Sequence, residues 1–326
     1  MRVLIVGAAG MIGRKLTAKL GAGQPLGQPI EHLTLADVVA APLPADFPKA
    51  DIRTADISQP GAAAALLDGR PDLVFHLAAI VSGEAEADFD KGYRINLDGT
   101  RDLFDAIRLI PDYTPKVVFT SSLAVFGAPF PDSIGDDFNL TPLTSYGTQK
   151  AIGELLLADY SRRGFFDGIG IRLPTICIRP GLPNKAASSF FSGILREPLA
   201  GHEATLPVAD TLRHWFASPR AAIGMLLHAA TLDTAPLGAR RTLSMPGLSA
   251  TVADQIEALR RVAGDKAVRL IRHQPDPAVQ AIVGGWAQRF DATRATAMGF
   301  TAESSFDDII RAHIDDELGG TIGAAA

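Results

Sequence analysis

Cysteine is almost absent from this sequence: Cys177 is the only one among 326 residues. A single cysteine excludes an internal disulfide and is typical of a reducing compartment, so we expect a cytoplasmic protein. Its neighbours are Ile176 and Ile178, and this apolar context favours a buried structural thiol over a nucleophile.

Long apolar runs and an excess of positive charge are also missing. No run approaches the roughly 18 apolar residues that span a membrane. The apolar start is broken by two glycines and followed by Arg14 and Lys15, which favours a buried strand over a signal peptide. The formal net charge of −5 argues against nucleic acid or an anionic membrane as a partner. The composition, 47% hydrophobic and 21% charged, is that of a globular protein with one large domain or two modest ones.

A glycine-rich turn follows the first apolar run. Residues 2–6 are apolar from Val3 onward and rich in β-branched side chains, as in strands buried in a parallel sheet. Gly7-Ala8-Ala9-Gly10-Met11-Ile12-Gly13 then leads into a helical pattern. Strand, glycine turn and helix form the context that a dinucleotide fingerprint requires. The first glycine permits the tight turn, the second admits a pyrophosphate, and the third lets helix pack on strand. The predicted dinucleotide contacts are Gly7, Gly10, Met11, Ile12 and Gly13.

The second strand-like run ends in Asp37, which lies 24 residues after Gly13. This is close to the offset expected for a carboxylate that binds the adenosine ribose hydroxyls. The carboxylate would repel a 2′-phosphate, and no Arg or Lys follows in residues 38–40 to receive one. The predicted cofactor is therefore NAD and not NADP, and a solvated loop acid is the alternative reading of Asp37.

Further strand-like runs alternate with helical patterns at intervals of about 30 residues, which predicts an α/β fold with a doubly wound parallel sheet of Rossmann type. Helices are expected over 58–67, over 84–110 with an interruption near Gly92, and over 144–164. Ligands bind outside the carboxyl ends of the strands in such sheets. The predicted cofactor contacts at these ends are Asp56 and Ile57, at an adenine edge, and Leu77, Ala78 and Ala79. His76, within an apolar run, is expected in the core.

Tyr146 and Lys150 are four residues apart at the start of a helical pattern, so their side chains share one face. A free phenol has a pKa of about 10 and is a poor base at neutral pH. A nearby ammonium favours the phenolate and lowers that pKa. The pair is therefore predicted to take a proton from a substrate hydroxyl, unless both are ordinary surface residues.

After a strand at 168–173, five prolines between 174 and 207 break the chain into short pieces. We expect residues 1–173 with about 208–235 to form the NAD-binding Rossmann domain. Residues 174–207, approximately, with 236–326 would form a smaller C-terminal α/β domain that binds the substrate. The helices predicted in this second domain cover 184–195, 252–263 and 305–318, and the predicted strands cover 240–245 and 268–272. A helix predicted at 219–232 returns to the sheet of the first domain.

Four features in this order, the turn at 7–13, Asn96, the strand-end Ser122 and Tyr146-x-x-x-Lys150, resemble the extended short-chain dehydrogenase/reductases, also called the NAD-dependent epimerase/dehydratase group. The resemblance covers nearly the whole chain. Within the group, the runs at 76–84, 172–175, 179–181 and 186–190 are similar to members that oxidise the C2 hydroxyl of a four-carbon sugar acid.

The resemblance implies a role for each residue of the motifs. Tyr146 would be the base, and Lys150 would hold the nicotinamide ribose and lower the pKa of Tyr146. Ser122 would hydrogen-bond the reacting oxygen, although Ser121 is an open alternative. Asn96 would support a water relay to Lys150 or have a structural role only. No metal is implied.

The substrate should be a small anionic sugar acid, and a carboxylate calls for an Arg fork or backbone donors. Arg213 is the candidate clamp, with a surface ion pair as its alternative role. The other substrate candidates are Ser82, Asn184 and Ser188. By the same resemblance, Pro174 and Ile176 would lie near the nicotinamide.

Two other functions fit part of the pattern. A sugar-nucleotide epimerase or dehydratase would act on a UDP-sugar or a similar nucleotide, but a dehydratase often adds an acid pair beside the serine, where Leu123-Ala124 offers none. A non-catalytic NAD-binding protein would not need Tyr146 and Lys150 together. The helices at 84–110 and 144–164 carry apolar surface and imply, by analogy with the family, a homodimer.

Overall fold

The structure is a computed structural model and describes residues 1–23, 25–43, 50–181 and 188–323. The strands within these ranges are β1 Arg2–Val6, β2 His32–Asp37, β3 Ala50–Thr54, β4 Leu73–His76, β5 Lys116–Ser122, β6 Asp167–Leu173, β7 Thr175–Ile176, β8 Ala204–Leu206, β9 Arg213–Ala217, β10 Thr242–Ser244, β11 Leu248–Thr251 and β12 Ile271–His273. The α-helices are α1 Met11–Gly21, α2 Ala62–Leu66, α3 Ser82–Ala87, α4 Phe89–Gly92, α5 Gly99–Arg108, α6 Ser145–Arg162, α7 Ser189–Leu199, α8 Pro219–Thr231, α9 Val252–Val268, α10 Pro277–Gly284, α11 Thr293–Ala297 and α12 Phe306–Glu317. A π-helix spans Tyr93–Asp98, and 3₁₀ turns span Leu123–Val125 and Ala235–Leu237.

The first of two compact units comprises residues 1–125, 140–173 and 223–243. Its seven-stranded sheet has the order β10-β6-β5-β4-β1-β2-β3, and the pairs from β6 to β3 are parallel. The direction of winding reverses between β1 and β4, as in dinucleotide-binding folds. The prediction of a doubly wound parallel sheet is confirmed. The cofactor residues predicted from the sequence follow the carboxyl ends of β1, β2, β3 and β4.

The central strands form because their apolar runs are buried on both faces of the sheet. Leu4 and Val74, on neighbouring strands, have no exposed surface, and they join a core that also contains Leu103 and Phe104 of α5. The amphipathic face of α5 thus covers the sheet beside β4. This packing fixes the strand ends, from which the turns with the predicted cofactor residues extend.

The second unit comprises residues 126–139, 174–222 and 244–326. It contains a three-stranded sheet of order β11-β9-β7 and a parallel pair of β12 and β8. Helices α7, α9 and α12 enclose a core that includes Phe191, Leu259 and Ile310, each at most 1% exposed. The unit thus combines helices with short strands, and its role in binding the substrate stays a prediction. Within the described ranges, none of the helices combines the length and the apolar character that crossing a bilayer takes.

The segment boundaries of the two units differ from those expected. The chain passes to the second unit after residue 173, and the segment that returns to the first unit is 223–243, whereas about 208–235 was expected. The reason is strand pairing: β9 pairs with β7 and β11 in the second unit, whereas β10 is next to β6 in the first. Residues 126–139 also join the second unit, where Ile134 bridges to Phe290.

The helix predicted over 84–110 is wrong as one continuous element. It consists of α3, α4, the π-helix and α5, because Asp88 interrupts it and caps α4 by accepting a hydrogen bond from the Lys91 N–H. The helix predicted over 58–67 is reduced to α2, since Asp56 binds Ser58 in a turn and Gly61 has a positive φ of 81°.

Smaller shifts occur in the second half of the chain. α7 begins at Ser189 and runs past its predicted end to Leu199, and residues 184–187 of that prediction lie outside the described residues. The span of α9 is kinked at Gly264, whose φ of 81° and ψ of 176° are not helical, and a short second helical stretch follows it to Val268. The strand predicted at 268–272 therefore begins only at Ile271.

Candidate active site

The three glycines of the turn after β1 have three different surroundings. Gly7 has a φ of 95°, and a Cβ there would lie 2.6 Å from the Ala78 backbone nitrogen. A Cβ on Gly13 would collide with the Gly7 carbonyl oxygen, so helix and turn meet there. Gly10 has an ordinary φ of −66°, and a Cβ would come no closer than 3.4 Å to a neighbour. The open side of Gly10, before Met11 and Ile12 at the start of α1, fits the approach of a pyrophosphate.

Asp37 ends β2 beside this turn. Its Oδ2 accepts a hydrogen bond from the Ala9 N–H at 2.9 Å, and its Oδ1 accepts one from the Val38 N–H at 2.7 Å. The carboxylate therefore stands next to the glycine turn, where an adenosine ribose would reach it in a dinucleotide-binding fold. This position supports the predicted ribose contact.

The two residues predicted at an adenine edge have engaged side chains. Asp56 accepts the Ser58 N–H at 3.0 Å and the Ser58 hydroxyl at 2.7 Å. Burial raises the pKa of Asp56, but these hydrogen bonds, with one from Gln59, outweigh it and leave the pKa below its usual value. The Ile57 side chain lies in the core against Gly99. The part-exposed Asp56 carboxylate can still accept a further hydrogen bond from an adenine, whereas Ile57 could offer only backbone atoms.

The chain after β4 runs close behind the glycine turn. Leu77 donates its N–H to the Val6 carbonyl at 2.8 Å, and Ala78 is the closest neighbour of Gly7. Ala79 follows directly, and Ser82 begins α3. Small side chains at 78 and 79 leave backbone accessible beside the turn, as the sequence suggested for a cofactor contact.

Tyr146 and Lys150 lie in the first two turns of α6. Thr144 caps this helix by accepting the Gly147 N–H at 3.0 Å. The Lys150 Nζ donates to the Thr120 carbonyl oxygen at 2.9 Å, and it lies 5.9 Å from the centre of the Tyr146 ring. A Cβ on Gly147 would clash with the Ala124 carbonyl, so glycine there lets the helix approach the end of β5 closely.

Burial shifts the pKa values of both members of the pair. Burial raises the pKa of the Tyr146 phenol, and a hydrogen bond with Ser122 lowers it in part. Burial also lowers the pKa of Lys150 to about 8, against the opposing effect of Glu154. Desolvation of the phenolate dominates the pKa of Tyr146, and the Lys150 ammonium is directed at the Thr120 carbonyl. A lowering of the Tyr146 pKa by Lys150 stays a prediction.

The two serines at the end of β5 have different partners. Ser121 is 4% exposed and donates to Glu154 Oε1 at 2.5 Å. Ser122 is half-buried, and its hydroxyl is the one that hydrogen-bonds Tyr146. Of the two alternatives left open by the sequence, this arrangement supports Ser122 as the partner of a reacting oxygen.

A buried ion pair lies one helical turn beyond Lys150 on α6, and sequence reasoning missed it. Arg172 on β6 forms a two-pronged contact with Glu154, through Nε at 3.0 Å and Nη2 at 2.8 Å. Both side chains are almost fully buried. Glu154 is four residues after Lys150, so the signal that could have found it was a third polar residue on the same helical face.

Asn96 lies in the π-helix and uses its amide to join two elements. Its Oδ1 accepts the Ile80 N–H at 2.9 Å, and its Nδ2 donates to the Ile80 carbonyl at 3.2 Å and to Gln149 Oε1 at 2.8 Å. Both amide hydrogens are thus committed, and Gln149 immediately precedes Lys150 on α6. The arrangement favours the structural alternative for Asn96 over the water relay.

His76 is 1% exposed, so its expected core position is confirmed. Its Nε2 lies 2.8 Å from the Thr100 hydroxyl, which itself donates to the Asn96 carbonyl at 2.7 Å. His76 Nε2 is therefore the donor to Thr100. Burial, with repulsion from Lys150, lowers the pKa of His76 to about 3, so the ring is neutral at physiological pH.

The remaining predicted residues belong to the second unit. Pro174 is buried and Ile176 is half-buried at the end of β7. Ser188 immediately precedes α7, and Asn184 lies outside the described residues. Arg213 begins β9, where its Nη1 donates to the Ser249 carbonyl at 3.1 Å and its Nη2 lies 3.7 Å from Asp254.

Arg213 also lines a cavity of about 520 Å³ in the second unit. Phe130, Trp286 and Arg289 contribute to its walls, and backbone of Gly284 and Gly285 completes one side. The cavity is wide compared with a four-carbon acid. Among the residues that the structure describes, no group of three or more His, Cys, Asp or Glu side chains could hold a metal ion.

Comparison with known proteins gives two kinds of relative. Residues 3–230 match the NAD dependent epimerase/dehydratase family. A D-erythronate dehydrogenase of Cupriavidus necator is 50% identical over 321 residues, which is 97% of this chain and 98% of that protein. A D-erythronate dehydrogenase of Haemophilus influenzae is 42% identical over 320 residues, 98% of this chain and 100% of that protein.

A solved structure is similar over almost the same length. It is described as the nucleoside-diphosphate-sugar epimerase from Agrobacterium tumefaciens and is 65% identical, with a TM-score of 0.96, covering 98% of this chain and 95% of its own. The names of the relatives therefore point to two activities on one fold, and the choice between them depends on the chemistry of the site.

Proposed function

This chain belongs to the NAD-dependent epimerase/dehydratase family, and we propose that it oxidises the C2 hydroxyl of a small sugar acid with NAD, specifically D-erythronate to 2-dehydro-D-erythronate. The observation that carries the proposal is the Tyr146 phenol, hydrogen-bonded to Ser122 and one helical turn from Lys150. Two relatives named D-erythronate dehydrogenase, alike over nearly the full length, support the choice of substrate.

The residues around the glycine turn fit NAD. The open side of Gly10 leaves room for the pyrophosphate, and a Cβ there would fill that space. Asp37 would bind the adenosine ribose, with its carboxylate already held beside the turn by the Ala9 N–H. When bound, NAD supplies the acceptor for the hydride.

Side chains of the protein would accept the proton of the substrate hydroxyl. Tyr146 would take the proton of the C2 hydroxyl, and Ser122 would hold the same oxygen by a hydrogen bond. Lys150 would hold the nicotinamide ribose and stabilise the phenolate form of Tyr146, which releases its own proton to solvent before it accepts the proton of the C2 hydroxyl. A buried phenol with a raised pKa needs that nearby cation during the reaction.

For the substrate, Ser82, Ser188 and Arg213 remain the proposed contacts, with Asn184 outside the described residues. The Ser249 and Asp254 contacts hold the guanidinium of Arg213 at the cavity wall. Pro174 and Ile176 remain the proposed neighbours of the nicotinamide. The single cysteine supports a cytoplasmic location as part of the same proposal.

A sugar-nucleotide epimerase is the second candidate, favoured by the name of the 65% identical structure and by the size of the cavity beside Arg213. A dehydratase is not supported, because Leu123 and Ala124 supply no acid beside Ser122.

One experiment separates the two candidates. Purified protein is assayed by NADH absorbance with NAD and a panel of C3 to C6 sugar acids that includes both epimers of the four-carbon acid. The same preparation is incubated with UDP-, GDP- and TDP-sugars, and the sugars are analysed for epimers. Turnover of D-erythronate above the other acids is the expected result. Epimerised nucleotide sugar with no NADH from any acid would overturn the proposal.

We also propose that the protein forms a homodimer. Phe89 on α4 is 57% exposed and Leu155 on α6 is 64% exposed, so both present apolar surface to water. Both belong to the helical stretches whose apolar surface suggested a dimer in the sequence. Pairing of these helices between two copies would remove this surface from water.

A further inference from the structure

Arg179 is a half-buried arginine whose charge has no acidic partner among the described residues. Its Nη2 donates to the Ser188 hydroxyl oxygen at 2.8 Å, and its backbone N–H donates to Ser192 Oγ at 3.0 Å. An arginine that gives up water without a counter-ion is unfavourable on its own. A guanidinium in this state is complementary to an anion that the protein itself does not supply.

The surroundings add positive charge to Arg179. Arg196 donates from Nη1 to the Arg179 carbonyl at 2.7 Å, and its Nη2 engages the neighbouring Glu197 at 2.6 Å, so that acid is already paired. The partial positive charge at the start of α7 has the same sign.

Ser188 supplies a second donor at the same place. Its oxygen accepts the bond from Arg179, and its side chain does not cap α7. Among the described residues, no acceptor is found for its hydroxyl hydrogen, which is thus available to a ligand. A guanidinium and a hydroxyl in contact with each other form a donor pair of the kind that binds a carboxylate.

Arg213, the clamp predicted from the sequence, is in a different electrostatic state. Asp254 lies 3.7 Å from its Nη2, and the Ser249 carbonyl occupies its Nη1. Its charge is therefore matched by an acid, and an incoming carboxylate would compete with Asp254. Arg179 has no such competitor among the residues described.

Arg179 also lies close along the chain to the proposed nicotinamide neighbour. It follows Ile176, the end of β7, by three residues, so their Cα atoms are at most about 10 Å apart. In a 2-hydroxy acid the carboxylate carbon is bonded directly to the carbon that loses the hydride. The group that binds the carboxylate must therefore be near the hydride acceptor.

We infer that Arg179 and Ser188 bind the carboxylate of the substrate and give the enzyme its preference for a sugar acid over a neutral polyol. This inference deepens the proposed function and rests on it. Arg213 then contributes less to binding the negative charge than Arg179 does.

The first test is stability. If Arg179 had only a structural role, Arg179→Gln would lower the melting temperature of the protein. If the ligand supplies the counter-ion of Arg179, the ligand-free protein carries an uncompensated charge there. Arg179→Gln removes that charge and should leave the melting temperature unchanged or raise it. A clear decrease, measured by calorimetry without ligand, would contradict the inference.

The second test is binding without turnover. D-erythronate is titrated calorimetrically into protein saturated with NADH, which cannot accept a hydride. Arg179→Gln should weaken binding by about 10- to 100-fold, as expected for loss of a charge-assisted hydrogen-bond pair. Arg179→Lys should restore part of it, and Arg213→Gln should have the smaller effect. Arg272→Gln, which removes an exposed arginine paired with Glu203, is the control without effect. Unchanged affinity of Arg179→Gln, or a larger loss for Arg213→Gln, would overturn the inference.

The inference and the proposed function can fail separately. Wild-type protein that binds D-erythronate through Arg179 without oxidising it would overturn the proposed function and support the inference. Wild-type protein that oxidises it, with kcat/KM unchanged in Arg179→Gln, would overturn the inference alone. The ratio of kcat/KM for D-erythronate to that for neutral erythritol should fall in Arg179→Gln, because only the acid uses the guanidinium.

Discussion

At the residue scale, the phenol of Tyr146 experiences two opposing influences. Burial raises its pKa, and the hydrogen bond with Ser122 lowers it in part. A hydroxyl that is protonated at rest can act as a base only if the loss of its own proton is stabilised. The ammonium of Lys150, 5.9 Å from the ring centre, is the described cation on the same helical face. Lys150 is therefore the proposed source of that stabilisation.

Tyr146→Phe removes the proposed base and keeps the ring. We expect turnover of the sugar acid to fall by about 10²- to 10⁴-fold, the usual contribution of a general base, with the affinity for NAD retained. Steady-state kinetics and fluorescence titration with NADH measure the two effects. Tyr160→Phe is the matched control, because Tyr160 lies on the same helix but binds Asp105. Equal turnover in wild type and Tyr146→Phe would remove the proposed base.

Lys150 should make stability depend on pH. Burial lowers its pKa to about 8, so between about 8 and the unfolded value the unfolded chain binds more protons than the folded one. The free energy of unfolding contributed by Lys150 should therefore rise with pH across this window, and the burial cost is fully present below it. Denaturant titrations at pH 7 and 9 measure this, with Lys150→Met as the reference. An equal change in the free energy of unfolding of the wild type and of Lys150→Met would contradict this prediction.

At the element scale, α6 presents Tyr146, Lys150 and Glu154 on one face and fixes that face by a buried contact with β6. The sequence shows the spacing of the three residues. It does not show Arg172, because that contact depends on the register in which Ser121 on β5 lies opposite Arg172 on β6. The register depends on how two strands that are distant in sequence pair with each other. The spacing of residues within one helix or strand carries no information about it.

Glu154→Gln should destabilise the protein by about 3–5 kcal/mol, since removing one partner leaves the charge of Arg172 buried without its counter-ion. The double variant Glu154→Leu with Arg172→Met should lose less, because no charge remains to be buried. Chemical denaturation of the three proteins compares these values. A single variant as stable as wild type would show that the pair does not hold α6 on the sheet.

The stretch 84–110 shows a second limit of sequence reasoning. Its apolar periodicity predicts a helix, and helical structure is present in most of it. The π-helix at 93–98 could not be predicted, because an i→i+5 bonding pattern changes the periodicity too little over six residues. What stabilises it is tertiary: Asn96 binds Ile80 and Gln149, which are distant in sequence.

For the whole molecule, the sequence predicts the first unit much better than the second. Long buried strands separated by helices allow few arrangements, so the order of the central sheet follows from the alternation. The strands of the second unit have two to five residues and are separated by prolines, which leaves little periodicity to interpret. Its boundaries depend on pairings such as β9 with β11.

The proposed dimer is tested at this scale. Introducing a charge with Phe89→Asp and Leu155→Glu should shift the protein from dimer to monomer, because a carboxylate inside an apolar interface would lose its hydration. Sedimentation velocity at micromolar concentration measures the change. Ile282→Glu is the control, as an exposed apolar residue on α10. A wild-type protein that sediments as a monomer would exclude this pairing.

Gly10 has a consequence for how variants of this protein are judged. Its φ of −66° suits any residue, and a methyl group there would meet only the Gly7 carbonyl oxygen, at 3.4 Å. Gly10→Ala should therefore express, purify and melt like the wild type, while the added carbon occupies the space meant for the pyrophosphate. A survey ranked by yield or melting temperature would class this substitution as harmless. Only a titration with NAD would show that the correctly folded protein no longer binds its cofactor.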